Sequence, residues 1–215
     1  MTEIAKIILA WAAFGAFHSL TMTEGYERLA RRAMGERAFA AYHRLLFTAY
    51  SAAATAAVLL YLRSLPDAPL YRIDGWPRLL FHAAQLSGAA LLLATPWDLL
   101  EFVGVRQLLR TLRGAGPGNE GQARLFTGKA YAVVRHPIYL GCSVLLAFHP
   151  VQTRNSLASA AAIVAYFYIG TFFEERRMER MFGEDYREYK KRVPRFLPLP
   201  RPGWSQGDRG GHTSL

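Results

Sequence analysis

Apolar runs long enough to enter a bilayer alternate along this chain with short blocks crowded with arginine, and that alternation leaves few folds open to it. The runs cover residues 4–20, 45–62, 79–95, 138–151 and 156–173, the third of them stopped by Pro96. A helix needs about 20 apolar residues to cross the hydrocarbon core, and the fourth run falls short of that. It is expected to tilt, to pair with a re-entrant segment or to extend upstream. The first run lacks a strongly basic start, and His18, Ser19 and Glu24 make a poor cleavage site, so it reads as a retained helix rather than a signal peptide.

Composition agrees. A content of 52% hydrophobic residues beside a net charge of +10 is contradictory in a soluble domain but natural where apolar spans alternate with basic loops. Most of the 26 Lys and Arg residues fall in three blocks, Arg28 to Arg44, Arg106 to Arg135 and Arg176 to Arg209. Positive residues mark the cytoplasmic side, so the pattern predicts about five spans with the N-terminus outside and the C-terminus in the cytoplasm. The expected fold is an all-α integral membrane protein, in the inner (cytoplasmic) membrane of a cell, with cytoplasmic interfacial and C-terminal helices. The basic blocks sit between apolar runs, with no aromatic-rich polar groove implied, which argues against nucleic acid as a partner. The lone Cys142 excludes an intramolecular disulfide and a Cys-rich zinc site, and no metal site is expected. It reads as a small buried hydrophobe.

Between the third and fourth runs, residues 98–113 place Leu99, Leu100, Val103, Leu108 and Leu109 among charged residues, as an interfacial amphipathic helix would. The sequence GAGPGNEG at 114–121 predicts a flexible lid or hinge, and the Pro- and Gly-rich residues 199–215 a disordered tail. One domain over residues 1–198 accounts for the rest.

Two stretches carry chemistry. In the first, Tyr131, Val133, Val134, Arg135, His136, Pro137, Tyr139, Leu140 and Gly141 stand at the mouth of the fourth run. Pro137 suits the first turn of a helix, whose free backbone N–H groups can receive an anion or another acceptor. An Arg-His pair there is costly unless it meets a polar ligand, although a snorkelling Arg with an interfacial His and Tyr reads equally well. In the second, Glu174 and Glu175 stand where the fifth run ends and a charged helix, 174–192, begins. Two carboxylates there could hold a cationic ligand, and an ordinary solvated helix with Glu175 and Glu179 paired to arginines fits as well. Tyr186 and Tyr189, three apart, share a face as packing residues would.

Together the stretches read Arg-His-Pro-x-Tyr-x-Gly, then Glu-Glu, then Phe-Gly-x-x-Tyr-x-x-Tyr, and finally Val-x-Arg-Phe-x-Pro at 193–198. In that order the chain resembles the isoprenylcysteine carboxyl methyltransferase superfamily, which includes phospholipid methyltransferases, methanethiol S-methyltransferases and NnrU-like proteins. The resemblance covers about residues 125–198. It implies that S-adenosyl-L-methionine lies in a cytoplasm-facing pocket, making this the cofactor-binding half. Tyr131, His136, Pro137 and Tyr139 would meet the cofactor, with Val133, Val134, Leu140 and Gly141 lining it. Glu174 or Glu175 would hold its amino group, and Arg135 its carboxylate or structural neighbours. Arg195 and Phe196 would close the pocket. Upstream of Tyr131, Phe126 to Ala130 carries one residue more than the family's Thr-Thr-Gly-x-Tyr.

The N-terminal half is looser. Trp11, His18 and Ser19, with Tyr42-His43-Arg44-Leu45-Leu46, resemble the methanethiol methyltransferase and NnrU-like branch. A His inside a span is costly unless it faces a polar cavity or partner. His18, His43 and Arg44 are therefore the candidate catalytic residues, with His82, Asp98 and Glu101 as further candidates at the acceptor site. The resemblance implies a methyltransferase for a small or lipophilic thiol acceptor, with a carboxylate or lipid amine as the alternative acceptor. A non-enzymatic NnrU-like accessory protein and a reductase of related membrane fold are the readings from other classes.

Overall fold

The computed structural model describes residues 2–96, 98–114 and 124–198, and these are helical almost throughout. Three helices are long and apolar enough to cross a membrane: α1 (Glu3–Leu20), α3 (Glu36–Arg63) and α8 (Arg154–Phe182). The fold is that of an all-α membrane protein. Its outer surface shows many large apolar side chains, such as Leu60, Leu86 and Leu93, as expected where the solvent is lipid.

Local chemistry starts these helices. The Thr2 hydroxyl accepts from the Ala5 amide at the head of α1. α8 opens on a reciprocal capping box between Thr153 and Ser156, which satisfies two of the amides that a helix start leaves unpaired. α4 (Pro77–Ala94) and α7 (Pro137–Ala147) each begin on a proline, whose missing N–H is one the first turn does not use. Ile7, Trp11 and Leu62 form a buried cluster against Ala158, Ala162 and Ile163, tying α1, α3 and α8 together.

α7 packs along α4. At their crossing a Cβ on Gly141 would lie 2.8 Å from the Gly88 carbonyl oxygen, and one on Gly88 would lie 2.9 Å from that of Gly141. Only two glycines let the backbones meet so closely, the device membrane helices use in place of a hydrophobic drive.

Three expectations change in detail. The fourth apolar run is a helix of 11 residues, about 16 Å long at 1.5 Å per residue and too short to cross a bilayer alone. It ends before residues 151–153, which form β2 (Val151–Thr153), paired antiparallel with β1 (Pro69–Arg72), so Tyr71 faces Gln152. The helix expected at 98–113 is two, α5 (Leu99–Val103) and α6 (Val105–Leu112), broken at Gly104 with φ +96°. A Cβ on Gly104 would meet the Leu45 amide nitrogen at 2.5 Å, so this break is where the pair docks on α3. The charged helix expected from residue 174 is the continuation of α8, which runs unbroken to Phe182. The chain turns at Gly183, with φ +56°, into α9 (Glu184–Arg192). α2 (Glu24–Met34) precedes α3 and packs against it. Beyond Gly114 the expected lid lies outside the described residues, as does the tail from 199.

Candidate functional site

A short 3-10 turn, Lys129–Ala132, delivers the chain to Val134, Arg135 and His136, all buried, just before α7 starts. Two backbone hydrogen bonds zip this segment to the chain after α9. The Arg135 amide donates to the Pro194 carbonyl at 2.9 Å, and the His136 amide to that of Arg195 at 3.2 Å. The Arg135 guanidinium also donates to the carbonyls of Lys190 and Val193. Tyr189 adds its hydroxyl to the Tyr131 carbonyl at 2.7 Å. Tyr186, Tyr189 and Val193 form a buried cluster behind these bonds, and burial pushes both phenols above their ordinary pKa.

Glu175 is the centre of charge. Its residue is 2% exposed, and Arg135 Nε donates to its Oε1 at 2.8 Å. Arg195 donates to both oxygens, at 3.1 and 2.9 Å, and Lys190 Nζ lies 3.6 Å away. The Arg195 guanidinium in turn covers the Phe172 ring at 4.0 Å. His136 completes the set, with Nε2 at 3.2 Å from Glu175 Oε1 and Nδ1 at 3.5 Å from Glu174 Oε2. Burial works to lower the His136 pKa, but the bonds to Glu174 and Glu175 and the charges of both outweigh it. The imidazole is therefore raised above its ordinary value. With a carboxylate at each ring nitrogen, the protonated ring satisfies both.

The two glutamates differ in exposure. The Glu175 side chain is 3% exposed and locked among cations, whereas that of Glu174 is 42% exposed. Glu174 opens into a pocket of about 470 Å³, with Tyr131, Arg135 and His136 on one wall and Met178, Met181 and Phe182 of α8 continuing its own face. Leu125, Phe126 and the α9 tyrosines close another side, and Pro96 reaches it from the end of α4. An aromatic layer lies behind: the His136 and Tyr139 rings stack at 5.6 Å, and Tyr139 stacks on Phe167 at 5.1 Å.

Of the residues expected from sequence, Tyr131, Arg135, His136 and Glu174 line this pocket together. Glu175, Arg195, Pro137 and Tyr139 brace it. Phe196 sits edge-on to Tyr168, Val134 is fully buried, Val133 is half exposed, and Leu140 and Gly141 face into the packed side of α7. The N-terminal candidates stand apart from it. His18 bonds Ser51 Oγ through Nδ1 at 3.1 Å, His43 stacks on Phe39 at 4.2 Å, and Arg44 donates to the Phe102 carbonyl at 3.1 Å. His82 is held between Arg78 and Gln85. Asp98 and Glu101 pair with Arg106 and Arg110. Sequence reasoning missed Met178, Met181 and Phe182, which follow Glu174 at helical spacing on one face and were readable from it. It also missed Lys190 and Phe167, which only tertiary packing brings in.

Comparison with known proteins finds relatives over about half of this chain. Methanethiol S-methyltransferase 1 of Bradyrhizobium diazoefficiens is 38% identical over 101 residues, 47% of this chain and 34% of that protein. Methanethiol S-methyltransferase of Pseudomonas deceptionensis is 40% identical over 101 residues, 47% of this chain and 37% of that protein. Human protein-S-isoprenylcysteine O-methyltransferase is 37% identical over 82 residues, 35% of this chain and 28% of that protein. The chain thus spans little more than a third of the length of the first two relatives. No family model matches it, and no solved structure does. Over the matched stretch, the chain is related to methyltransferases of methanethiol and of isoprenylcysteine, which its motifs resemble.

Proposed function

We propose that this chain is an S-adenosyl-L-methionine-dependent membrane methyltransferase that methylates the sulfur of a small or lipophilic thiol. The observation that carries the reading is the division of labour between Glu174 and Glu175. One carboxylate is spent holding the site together, and its neighbour is open to a pocket. S-adenosyl-L-methionine fits what lines that pocket. Its ammonium matches Glu174, and its adenine matches the apolar and aromatic wall of Leu125, Phe126 and Met178. A volume of about 470 Å³ suits one ligand of that size, pockets for drug-sized molecules running from about 300 to 1,000 Å³.

When bound, the cofactor supplies an electrophilic methyl group on a sulfonium. The chain's own residues bind, orient and keep water out. Glu174 anchors the amino group, and His136, held between two carboxylates, fixes where Glu174 points. The 193–196 segment with Arg195 and Phe196 braces the wall. A thiolate is intrinsically nucleophilic, so alignment does most of the remaining work. An isoprenylcysteine carboxylate or a lipid amine is the second reading, favoured by the human relative, but such an acceptor would need lipid-side room beyond this pocket.

The acceptor and the bilayer are the partners in this reading. α4 and α7, paired through Gly88 and Gly141, complete five passes with the three long helices. The amino end of α1 then lies outside and α9 in the cytoplasm, in the inner membrane. Calorimetry of S-adenosyl-L-methionine with the detergent-purified protein tests the function. Saturable binding, weakened at least tenfold in Glu174→Ala and in His136→Ala, is expected. Absence of binding in a well-folded sample overturns it and brings the accessory-protein reading forward.

A further inference from the structure

We infer that the groove where the α2–α3 corner meets the end of α6 binds one anionic phospholipid of the cytoplasmic leaflet, with Arg37 taking its phosphate. The inference uses the orientation proposed above and stands independently of the cofactor site.

A second cavity, of about 570 Å³, lies at that corner, with Met34, Arg37, Ala38, Tyr42, Thr111 and Leu112 among its walls. It shares no residue with the Glu174 pocket. The helices around it are amphipathic. α6 places Val105, Leu108, Leu109 and Leu112 at helical spacing, with Arg106, Gln107 and Arg110 between them. Leu112 in the cavity wall is exposed, as are Leu109 and, on α2, Leu29. Short helices with an apolar face and arginines on the other lie in the headgroup region, where lipid phosphates and acyl chains are both within reach.

The arginines of this face fall into two sets. Arg28, Arg31, Arg106 and Arg110 meet the carboxylates of Glu24, Glu36, Asp98 and Glu101. Arg31 also covers the Phe39 ring at 4.1 Å, and it takes Glu36, the one acid in the cavity wall. Arg32, Arg37 and Arg113 are exposed and have no partner among the described residues. Arg37 stands in the wall, Arg113 directly follows Leu112, and Arg32 precedes Met34 by two residues. Against these three charges stands one carboxylate without an ion pair among the described residues, Glu27, which acts on His43 instead. A net positive rim over apolar walls matches a ligand that is anionic at one end and hydrocarbon at the other. A zwitterionic lipid would leave the cations half matched, and free phosphate would make no use of the apolar walls.

The test uses the full chain in detergent and counts retained phosphatidylglycerol, phosphatidylcholine or inorganic phosphate by native mass spectrometry, with thermal midpoints alongside. One phosphatidylglycerol is expected to be held about tenfold more tightly than phosphatidylcholine, the range of one charge-assisted hydrogen bond, and to raise the midpoint. Arg37→Ala is expected to remove that preference, and Arg113→Ala to reduce it. Ala38→Phe, which fills the cavity at unchanged charge, is expected to release the lipid. Arg177→Ala, at an exposed arginine of α8 outside the cavity wall, is expected to change nothing. Equal retention of the two lipids overturns the inference, as does a loss in Arg177→Ala matching that in Arg37→Ala. Inorganic phosphate that competes with phosphatidylglycerol on equal terms overturns the lipid as the ligand. Should Ala38→Phe fail to fold, the two arginine variants decide, and full retention of the preference in both overturns the site.

Discussion

Glu175 and Glu174 are chain neighbours with opposite duties. Arg135 and Glu175 are both buried, and each side chain is 3% exposed. Removing one partner of a buried ion pair costs about 3–5 kcal/mol, because the other charge is left without compensation. Glu175→Gln is therefore expected to lower the thermal midpoint sharply, read by thermal unfolding in detergent. Glu174→Gln is expected to keep the midpoint close to wild type and to weaken cofactor binding. Because the His136 pKa is raised by folding, its contribution to stability is complete below its unfolded value of about 6.5 and is lost as pH rises through the higher folded value. Unfolding midpoints measured from pH 6 upward are expected to show that loss, and His136→Gln to remove it. The motif residues were legible as a set from their order in the chain. Which glutamate faces the pocket was not. Successive residues stand about 100° apart on a helix, and only the cations arriving from Arg135, Lys190 and Arg195 decide which way each one points.

At the scale of elements, glycine decides where helices touch and where they stop. Gly141→Val would press a branched side chain against the Gly88 carbonyl and Leu92, and overpacking of this kind costs about 1–3 kcal/mol. A lower midpoint is expected, with a smaller fall for a substitution at Gly170, around which there is open space. Apolar runs made most helices readable in advance, and Pro137 marked where α7 starts. Two features stayed hidden for physical reasons. The β1–β2 pair comprises strands of four and three residues, too short for any alternation to stand out. The break at Gly104 falls inside a helical pattern, where an isolated glycine is tolerated as often as not. Its cause is the backbone of α3, distant in sequence.

For the whole molecule, the proposed orientation puts α2, α6 and α9 with their arginines on one side and the β1–β2 pair on the other. Reporter fusions that glow or turn over only in the cytoplasm are expected to be active after Leu112 and after Arg192, and silent at Asp67. The reverse pattern would overturn the topology. α8, with 29 residues, is about 44 Å long and reaches from that outer ribbon to the pocket. Glu174 rides near its inner end, whereas His136 hangs from the separate α4–α7 pair. A rod gripped by lipid along most of its length makes acyl-chain length an input to the chemistry. When hydrocarbon thickness and helix length disagree, α8 must lean or slide, and the spacing between the two halves of the site moves with it. Cofactor affinity in liposomes is then expected to peak at one lipid length, which makes the membrane a tuning element as well as a solvent.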